Sequence, residues 1–458
     1  DVEEWAIGGR RLGLLIFWFV NAGEIYTTFA VLGISGFAWV YGAPAYLALT
    51  SVSLASAFGY WLTPRIWSAG RRHGLVTQAD FFALSYDAEW LGVVVALAGL
   101  FATVVYVEVQ LTALSLVLQL TVGHAVGAAP CVVAAAVLML AFVFLAGLRS
   151  AAFAAGVKDV LMIALVIALS FSAAGHVGAA SIADLFRRAE QLRPGLGAFP
   201  GADPAAGLTT GWFITSALNV AASTWFFPHM FQLSYAASGE RALRQNAIWQ
   251  PIYSLSYFFI ILLGFAVIVA GTDVPGGNPN AALLQFVASR YPAWLVGLLA
   301  GTASLLALVP GSVLLMTAGT IFARNIVRPA MGERDPRTTL LISRLAMIGF
   351  AGCAVYLTLG ASGSIVKIGL SAYASIGMLA PGGVLALIWA RAQALGVLAG
   401  LVVGYLALLH PAAIAFWHAA LPGWEPGLAA LILNSATVVL VSLLVSPLRA
   451  PPSGAATA

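Results

Sequence analysis

Charge is what this 458-residue sequence has least of. Asp, Glu, Lys and Arg together make up 8% of it, against roughly 25% in ordinary soluble domains. With 61% hydrophobic residues and a mean hydropathy of +0.96, that shortage excludes a soluble globular protein. Cysteine is almost missing too. Cys131 and Cys353 both lie in apolar runs, where a thiol is a small hydrophobe, so a disulfide framework or thiolate zinc site has no material to form from. No nucleophile–base set, metal cluster or phosphate loop is evident, which argues against an enzyme. The net charge of +4 does not point to nucleic acid, because the basic residues are scattered through loops rather than gathered in one patch.

Long hydrophobic runs are what the sequence does have. A spanning helix needs about 20 mostly apolar residues. Twelve runs qualify, at 13–40, 43–64, 89–122, 128–147, 151–176, 207–235, 243–271, 293–326, 338–360, 364–390, 393–410 and 426–447. The expectation is an all-α polytopic membrane protein forming one transport domain across 1–458. Residues 73–88 read as a short amphipathic helix lying on the membrane surface after a basic loop.

The basic residues orient the chain. Fifteen of the 21 Lys and Arg fall on one side: Arg10, Arg11, Arg65, Arg71, Arg72, Arg149, Arg241, Arg244, Arg324, Arg328, Arg334, Arg337, Arg344, Arg391 and Arg449. Arg187, Arg188, Arg193 and Arg290 fall on the other, and Lys158 and Lys367 lie within runs. The positive-inside rule then places the start of the first run and the C-terminus in the cytoplasm, in an inner membrane.

The first run contains Asn21-Ala22-Gly23-Glu24-Ile25-Tyr26-Thr27-Thr28 at its middle. A glutamate inside a spanning helix is costly and marks a functional site by default. It follows a glycine and precedes two threonines, all poor helix formers. Broken helices of this kind build the midplane sites of secondary transporters, so the break is expected at Gly23-Glu24. The amides of Tyr26, Thr27 and Thr28 would start a second half-helix, whose N-terminus attracts an anion. Glu108, with Tyr106 and Gln110, is a second acid in a run and within reach of the same centre.

Three motifs carry a resemblance. They are Gly8-Gly9-Arg10-Arg11-Leu12-Gly13, then Gly74-Leu75-Val76-Thr77-Gln78-Ala79-Asp80-Phe81, then the stretch from Trp389 to Gly400. In that order they resemble the entry, loop and C-terminal motifs of the sodium:solute symporter family. Phe227-Pro228-His229-Met230-Phe231, Arg244-Gln245-Asn246-Ala247-Ile248, Ala307-Leu308-Val309-Pro310-Gly311, Ala323-Arg324-Asn325-Ile326-Val327 and Val157-Lys158-Asp159 are similar to its monocarboxylate permease branch. That branch is associated with pyruvate, lactate and related short acids.

The resemblance implies the leucine-transporter fold, with two inverted five-helix repeats at about 13–176 and 207–390 and extra helices at about 393–447. It also implies an additional N-terminal helix before Asp1. The first helix of each repeat would be broken, the second within Ser216–Thr224. Family sodium ligands carry over to the carbonyls of Gly23, Tyr26 and Leu306, and to Val309 and Pro310, where the family has Ser or Thr. A hard cation needs a shell of oxygens, and two side-chain oxygens are absent here. In some proton-coupled relatives of this fold a fifth-helix lysine takes sodium's place; Lys158 stands there, beside Asp159.

The expected function is therefore a symporter of a small organic acid, a monocarboxylate such as pyruvate or lactate, coupled to H+ in preference to Na+. Substrate contacts are expected from Glu24, Tyr26, Thr27, Thr28, Glu108, Gln110, Asn219 and Trp225, and coupling from Glu24, Lys158 and Asp159. No cofactor is expected. The partners are a small carboxylate and the lipid bilayer, with no obligate protein partner. Alternatives stay open: a sodium symporter of another small solute such as an amino acid, or a membrane sensor domain, although no kinase follows in this sequence. Glu24 locked to Lys158, Asp159 or Glu108 facing water, and His229 as a gate residue are the structural alternatives for single residues. Trp212 is a further possible substrate contact, and Lys367 reads as a helix-end residue.

Overall fold

The computed structural model of the chain describes residues 7–122, 126–332, 335–360 and 364–445, the side chains of 146–150 excepted. Arg149, Arg334 and Arg449, and the end of the run at 426–447, fall outside those side chains or residues. In chain order the helices are α1 (Leu14–Ile25), α2 (Phe29–Tyr41), α3 (Leu47–His73), α4 (Gln78–Ser85), α5 (Glu89–Val122), α6 (Ala128–His176) and α7 (Ile182–Leu192). Then come α8 (Thr210–Thr224), α9 (Pro228–Ala236), α10 (Glu240–Val269), α11 (Ala282–Arg290), α12 (Ala293–Met331) and α13 (Pro336–Gly360). The last four are α14 (Ile365–Ile388), α15 (Ala394–Leu409), α16 (Pro411–Ala420) and α17 (Pro426–Val445). Helix α6 has 49 residues, about twice what a bilayer requires, and divides into two apolar spans, Ala128–Leu145 and Ala151–His176.

Nine helical segments among the described residues are long and apolar enough to cross a membrane, and two bent pairs raise that to eleven. One pair is α1 and α2, bent by 47°. Tyr26 leaves helical backbone there (φ −94°, ψ 79°). The break thus falls just after Gly23-Glu24, which are themselves helical. The Thr27 hydroxyl accepts from the Phe29 amide at 3.2 Å, a local bond of the kind that lets threonine compete with helix. The other pair is α15 and α16, bent by 78° where Pro411 follows His410.

The second central break is not within Ser216–Thr224. That segment is helical throughout, because its hydroxyls bond back into the helix: Ser223 donates to the Asn219 carbonyl (2.6 Å) and Thr224 to that of Val220 (2.7 Å). The chain breaks at Trp225–Phe227 instead and restarts at Pro228. Proline has no N–H and fits only the first turn of a new helix.

The two broken pairs, α1–α2 and α8–α9, are enclosed by α3, α5, α6, α10, α12 and α14. They are pinned at their far ends. At the start of α1, the Leu12 amide donates to the Ala236 carbonyl (3.1 Å) and the Ser238 amide to Leu12 (2.9 Å). Trp67 Nε1 donates to Ala237 (2.8 Å) on the same segment, and Arg10 to the Leu75 carbonyl (2.8 Å). At the end of α2, the Arg193 guanidinium donates to the Trp39 carbonyl (2.8 Å), and the Ala202 amide to that of Tyr41 (3.2 Å).

Helix α4 differs from the membrane-surface helix expected at 73–88. It opens with a capping box between Thr77 and Asp80. Gln78, Ala79, Phe81 and Phe82 are buried against protein. Asp80 also accepts from Arg324 Nε and Asn325 Nδ2, both at 2.8 Å, which ties α4 to the end of α12. The motif around Gly396 and Gly400 is equally structural: a Cβ on Gly400 would sit 2.4 Å from Val438, so α15 and α17 meet through small residues.

Candidate functional site

Both breaks face one centre. From α1, Gly23 leaves room for a lysine: a Cβ there would lie 3.3 Å from Lys158 Nζ. Lys158, fully buried in the second span of α6, donates to the Tyr26 carbonyl at 3.1 Å and pairs with Asp159 Oδ1 at 2.7 Å. It makes no bond to Glu24, so the Glu24–Lys158 lock is absent. Asp159 is itself fully buried, and its Oδ2 has no partner.

Glu24 turns the other way. Its Oε2 lies 3.8 Å from His229 Nε2 in the first turn of α9, beyond hydrogen-bond range. Both side chains are buried, and Glu24 Oε2 and His229 Nδ1 lack hydrogen-bond partners. Rings surround the pair. Tyr106 lies near parallel to His229 (6.0 Å, 17°), Phe227 is 5.4 Å from it, and Tyr373 packs edge-on against both Phe227 and Tyr106. On the other side of the break Tyr26 sits between Tyr253 (4.2 Å) and Tyr257 (5.0 Å).

The remaining expected residues separate into groups. Thr28 donates to Gln110 Oε1 at 3.2 Å, joining α2 to α5. Trp225 lines a mostly apolar cleft with Ile25, Phe29, Ser51, Tyr257 and Tyr373, and its Nε1 donates to the Ala55 carbonyl at 2.6 Å. Glu108 is 7% exposed, and no hydrogen bond joins its side chain to another among the described residues. Asn219 is not brought to this centre. Its side chain packs between Gly377 of α14 and Gly427 of α17. Trp212 stacks on Phe37, and Lys367 is exposed at the start of α14.

Leu306 is buried in α12. Pro310, four residues on, lies inside that helix and has no N–H, so the Leu306 carbonyl is free of its helical bond. Val309 is buried and its carbonyl accepts from the Ser312 hydroxyl (2.6 Å).

The place of His229 at the centre, one polar contact and two buried amides are not evident in the sequence. Asn246 Nδ2 donates to Asn21 Oδ1 (2.9 Å). Gln232 and Gln250 are buried with both amide atoms unpartnered. Polar residues inside spans were the available signal.

Residues 5–404 match the sodium:solute symporter family. The chain belongs to that family. It is 30% identical over 453 residues to the uncharacterized symporter YhjB of Bacillus subtilis, covering 97% of this chain and 92% of that one. It is 28% identical over 474 residues to a monocarboxylate transport permease protein of Rhizobium johnstonii, covering 98% and 92%. Among solved structures it resembles a Na+-coupled sialic acid symporter in a substrate-bound outward-open state (TM-score 0.78, 15% identity, 99% and 93% covered). It also resembles Mhp1, a nucleobase-cation-symport-1 family transporter in a closed conformation (TM-score 0.63, 13% identity, 97% and 96% covered). The fold is accordingly the leucine-transporter fold, and the chain is a multi-pass membrane transporter, not an enzyme.

Proposed function

We propose that this symporter imports a small monocarboxylate, of the pyruvate or lactate kind, across the cytoplasmic membrane by alternating access, with H+ as the coupling ion. The relative from Rhizobium johnstonii, a monocarboxylate transport permease by name, supports the substrate class. One observation carries the coupling: Lys158 Nζ on the Tyr26 carbonyl, paired with Asp159. Sodium bound between α1 and α12 would use that carbonyl as a ligand, together with side-chain oxygens at 309 and 310. Here the carbonyl already holds an ammonium, and Val309 and Pro310 bring no side-chain oxygen. A hard cation meets an incomplete shell there. Glu24 then carries the coupled proton, since an ionised Glu24 would repel a carboxylate bound beside it.

Sodium coupling is the second reading. It is favoured by the Leu306 carbonyl that Pro310 releases and by the unpartnered Asp159 Oδ2. Uptake of labelled pyruvate into proteoliposomes, under an inward proton gradient or an inward sodium gradient imposed separately, distinguishes them. Accumulation is expected with the proton gradient alone. A large response to sodium at fixed pH, with none to protons, refutes proton coupling. Failure of short carboxylates to be carried or to compete refutes the substrate class.

A further inference from the structure

A cavity of about 540 Å³ opens between the end of α3, the start of α10 and the end of α14. That is the size of a small-molecule site. Arg65 and Arg72 line it from α3 and Arg244 from α10, with His73 beside them and Glu240 as the one acid among the described lining residues. Three guanidiniums against one carboxylate leave the cavity positive. The positive-inside count assigns this side to the cytoplasm.

Two of the guanidiniums keep donors in hand. Arg65 donates to the Trp61 carbonyl at 2.7 Å and lies 4.6 Å over that indole, which uses one of its five N–H groups. Arg244 meets Glu240 at 3.6 Å, beyond hydrogen-bond range, with the two side chains 43% and 46% exposed. An ion pair so open to water holds its arginine weakly. Arginines elsewhere on this side are engaged with the protein: Arg10 donates to the Leu75 carbonyl and Arg324 to Asp80.

The cavity continues into apolar surface. Residues three and four apart share a helix face. Arg244 therefore shares one with Ile248, Ile252 and Leu255, all exposed along a spanning helix. From Arg65 the same spacing runs through Trp61 and Phe58, whose rings stack, to the exposed Leu54. The Tyr60 ring meets Arg244 at 5.3 Å and the Ser53 hydroxyl meets that of Ser254 at 3.3 Å, so α3 and α10 run antiparallel. Both apolar strips thus leave the cavity in one direction, into the bilayer. A free anion would use the guanidiniums and leave the strips without a part. A phosphate joined to acyl chains uses both.

We propose that this cavity binds an anionic phospholipid, its phosphodiester against Arg65 and Arg244 and an acyl chain along Ile248, Ile252 and Leu255. Basic cavities between helices at a membrane face suit such headgroups. The lipid screens like charges brought together by α3 and α10 and ties both helices to the end of α14. The site is separate from the transport centre and independent of the substrate and coupling ion.

The test is native mass spectrometry and thermal melting of the purified full chain with phosphatidylglycerol, phosphatidylcholine or inorganic phosphate added. Phosphatidylglycerol should remain bound and raise the melting temperature. Phosphatidylcholine, whose choline offsets its phosphate, should do so much less, and inorganic phosphate should not. The double variant Arg65→Gln, Arg244→Gln should weaken phosphatidylglycerol binding about five- to twenty-fold, as expected for two basic residues at a membrane surface. Glu240→Gln removes the competing acid and should strengthen binding, a gain that no folding defect produces. Arg337→Gln, at an exposed arginine outside the cavity, should leave binding unchanged. Equal binding of the two lipids, equal losses in Arg337→Gln and the double variant, or stabilisation by inorganic phosphate that matches phosphatidylglycerol overturns the proposal.

Discussion

Lys158 Nζ lies 3.1 Å from the carbonyl oxygen of Tyr26, the residue at which the first helix breaks. A side chain from α6 thus holds the free end of α1 in place. The lysine is fully buried and keeps Asp159 as its counter-ion. Nothing else in the described structure bridges the first break to α6 through a charge.

Replacing this lysine should damage both stability and transport, and the two can be separated. Lys158→Ala strands a buried carboxylate at Asp159, and breaking a buried pair from one side costs about 3–5 kcal/mol. The melting temperature in detergent should fall accordingly. The double variant Lys158→Ala, Asp159→Asn removes the stranded charge and should recover much of that loss. Accumulation of substrate should remain absent in both. Normal accumulation in the double variant would show that the lysine is only structural.

Asp80 makes a second prediction. Its carboxylate accepts from the Val76 and Thr77 amides, from Arg324 and from Asn325. Asp80→Ala leaves those donors without their acceptor, at a cost of about 2–4 kcal/mol. It should detach α4 from α12, lowering the melting temperature and raising protease sensitivity around residues 73–88. Asp80→Asn, which cannot pair ionically with Arg324, should fall between. Unchanged melting of the alanine variant would remove α4 from the structural frame.

The sequence made the first break legible, and for the right reason. A glycine, a buried acid and two threonines in one apolar run conflict with a continuous helix, and the chain does leave helical geometry at Tyr26, two residues later than Glu24. The second break was misplaced because small polar residues suggested a weak helix. In apolar surroundings Ser223 and Thr224 satisfy themselves on their own helix's carbonyls, and Pro228 decides the break. The Lys158 contact could be anticipated only through the family resemblance, since no local pattern links residue 158 to residue 26. The Glu24–His229 proximity was not legible at all, because it depends on how two broken helices face one another. Asn219 was assigned to the centre from its place on the right helix, but not from the face it presents, and its partners are α14 and α17.

Glu425 gives a pH prediction away from the centre. It precedes α17, its amide donates to the Thr215 hydroxyl, and its carboxylate accepts from the Leu428 amide. Burial pushes its carboxyl up to about 7, against the opposing pull of the Gly427 and Leu428 amides. The folded chain then holds this proton more tightly than the unfolded chain, whose carboxyl titrates near 4.5. The stability contribution is complete below that lower value and fades as pH rises toward 7. Glu425→Gln should flatten the melting-temperature profile between about pH 4.5 and 7. A wild-type profile that climbs over this range because of Glu425 would contradict the assignment.

The last prediction concerns Glu24, the group on which proton coupling depends. It is buried on α1, two residues before the Tyr26 carbonyl that Lys158 contacts, and it faces His229 without bonding to it. If Glu24 must be neutral for a carboxylate to bind nearby, glutamine imitates that state permanently. Glu24→Gln should still exchange labelled for unlabelled pyruvate across proteoliposomes at equal concentration, because exchange needs binding and reorientation but no net proton movement. It should no longer concentrate pyruvate against its gradient when a pH difference is imposed, because the substituted side chain has no proton to bring or release. Glu24→Asp keeps an ionisable group on a shorter stem and should retain partial accumulation. Accumulation by the glutamine variant at the wild-type level would mean that the coupled proton travels on another group, and Glu108, buried on α5, would be the next residue to exchange for glutamine. Loss of exchange together with accumulation, in a variant that melts like wild type, would instead make Glu24 a substrate contact with no separate part in coupling.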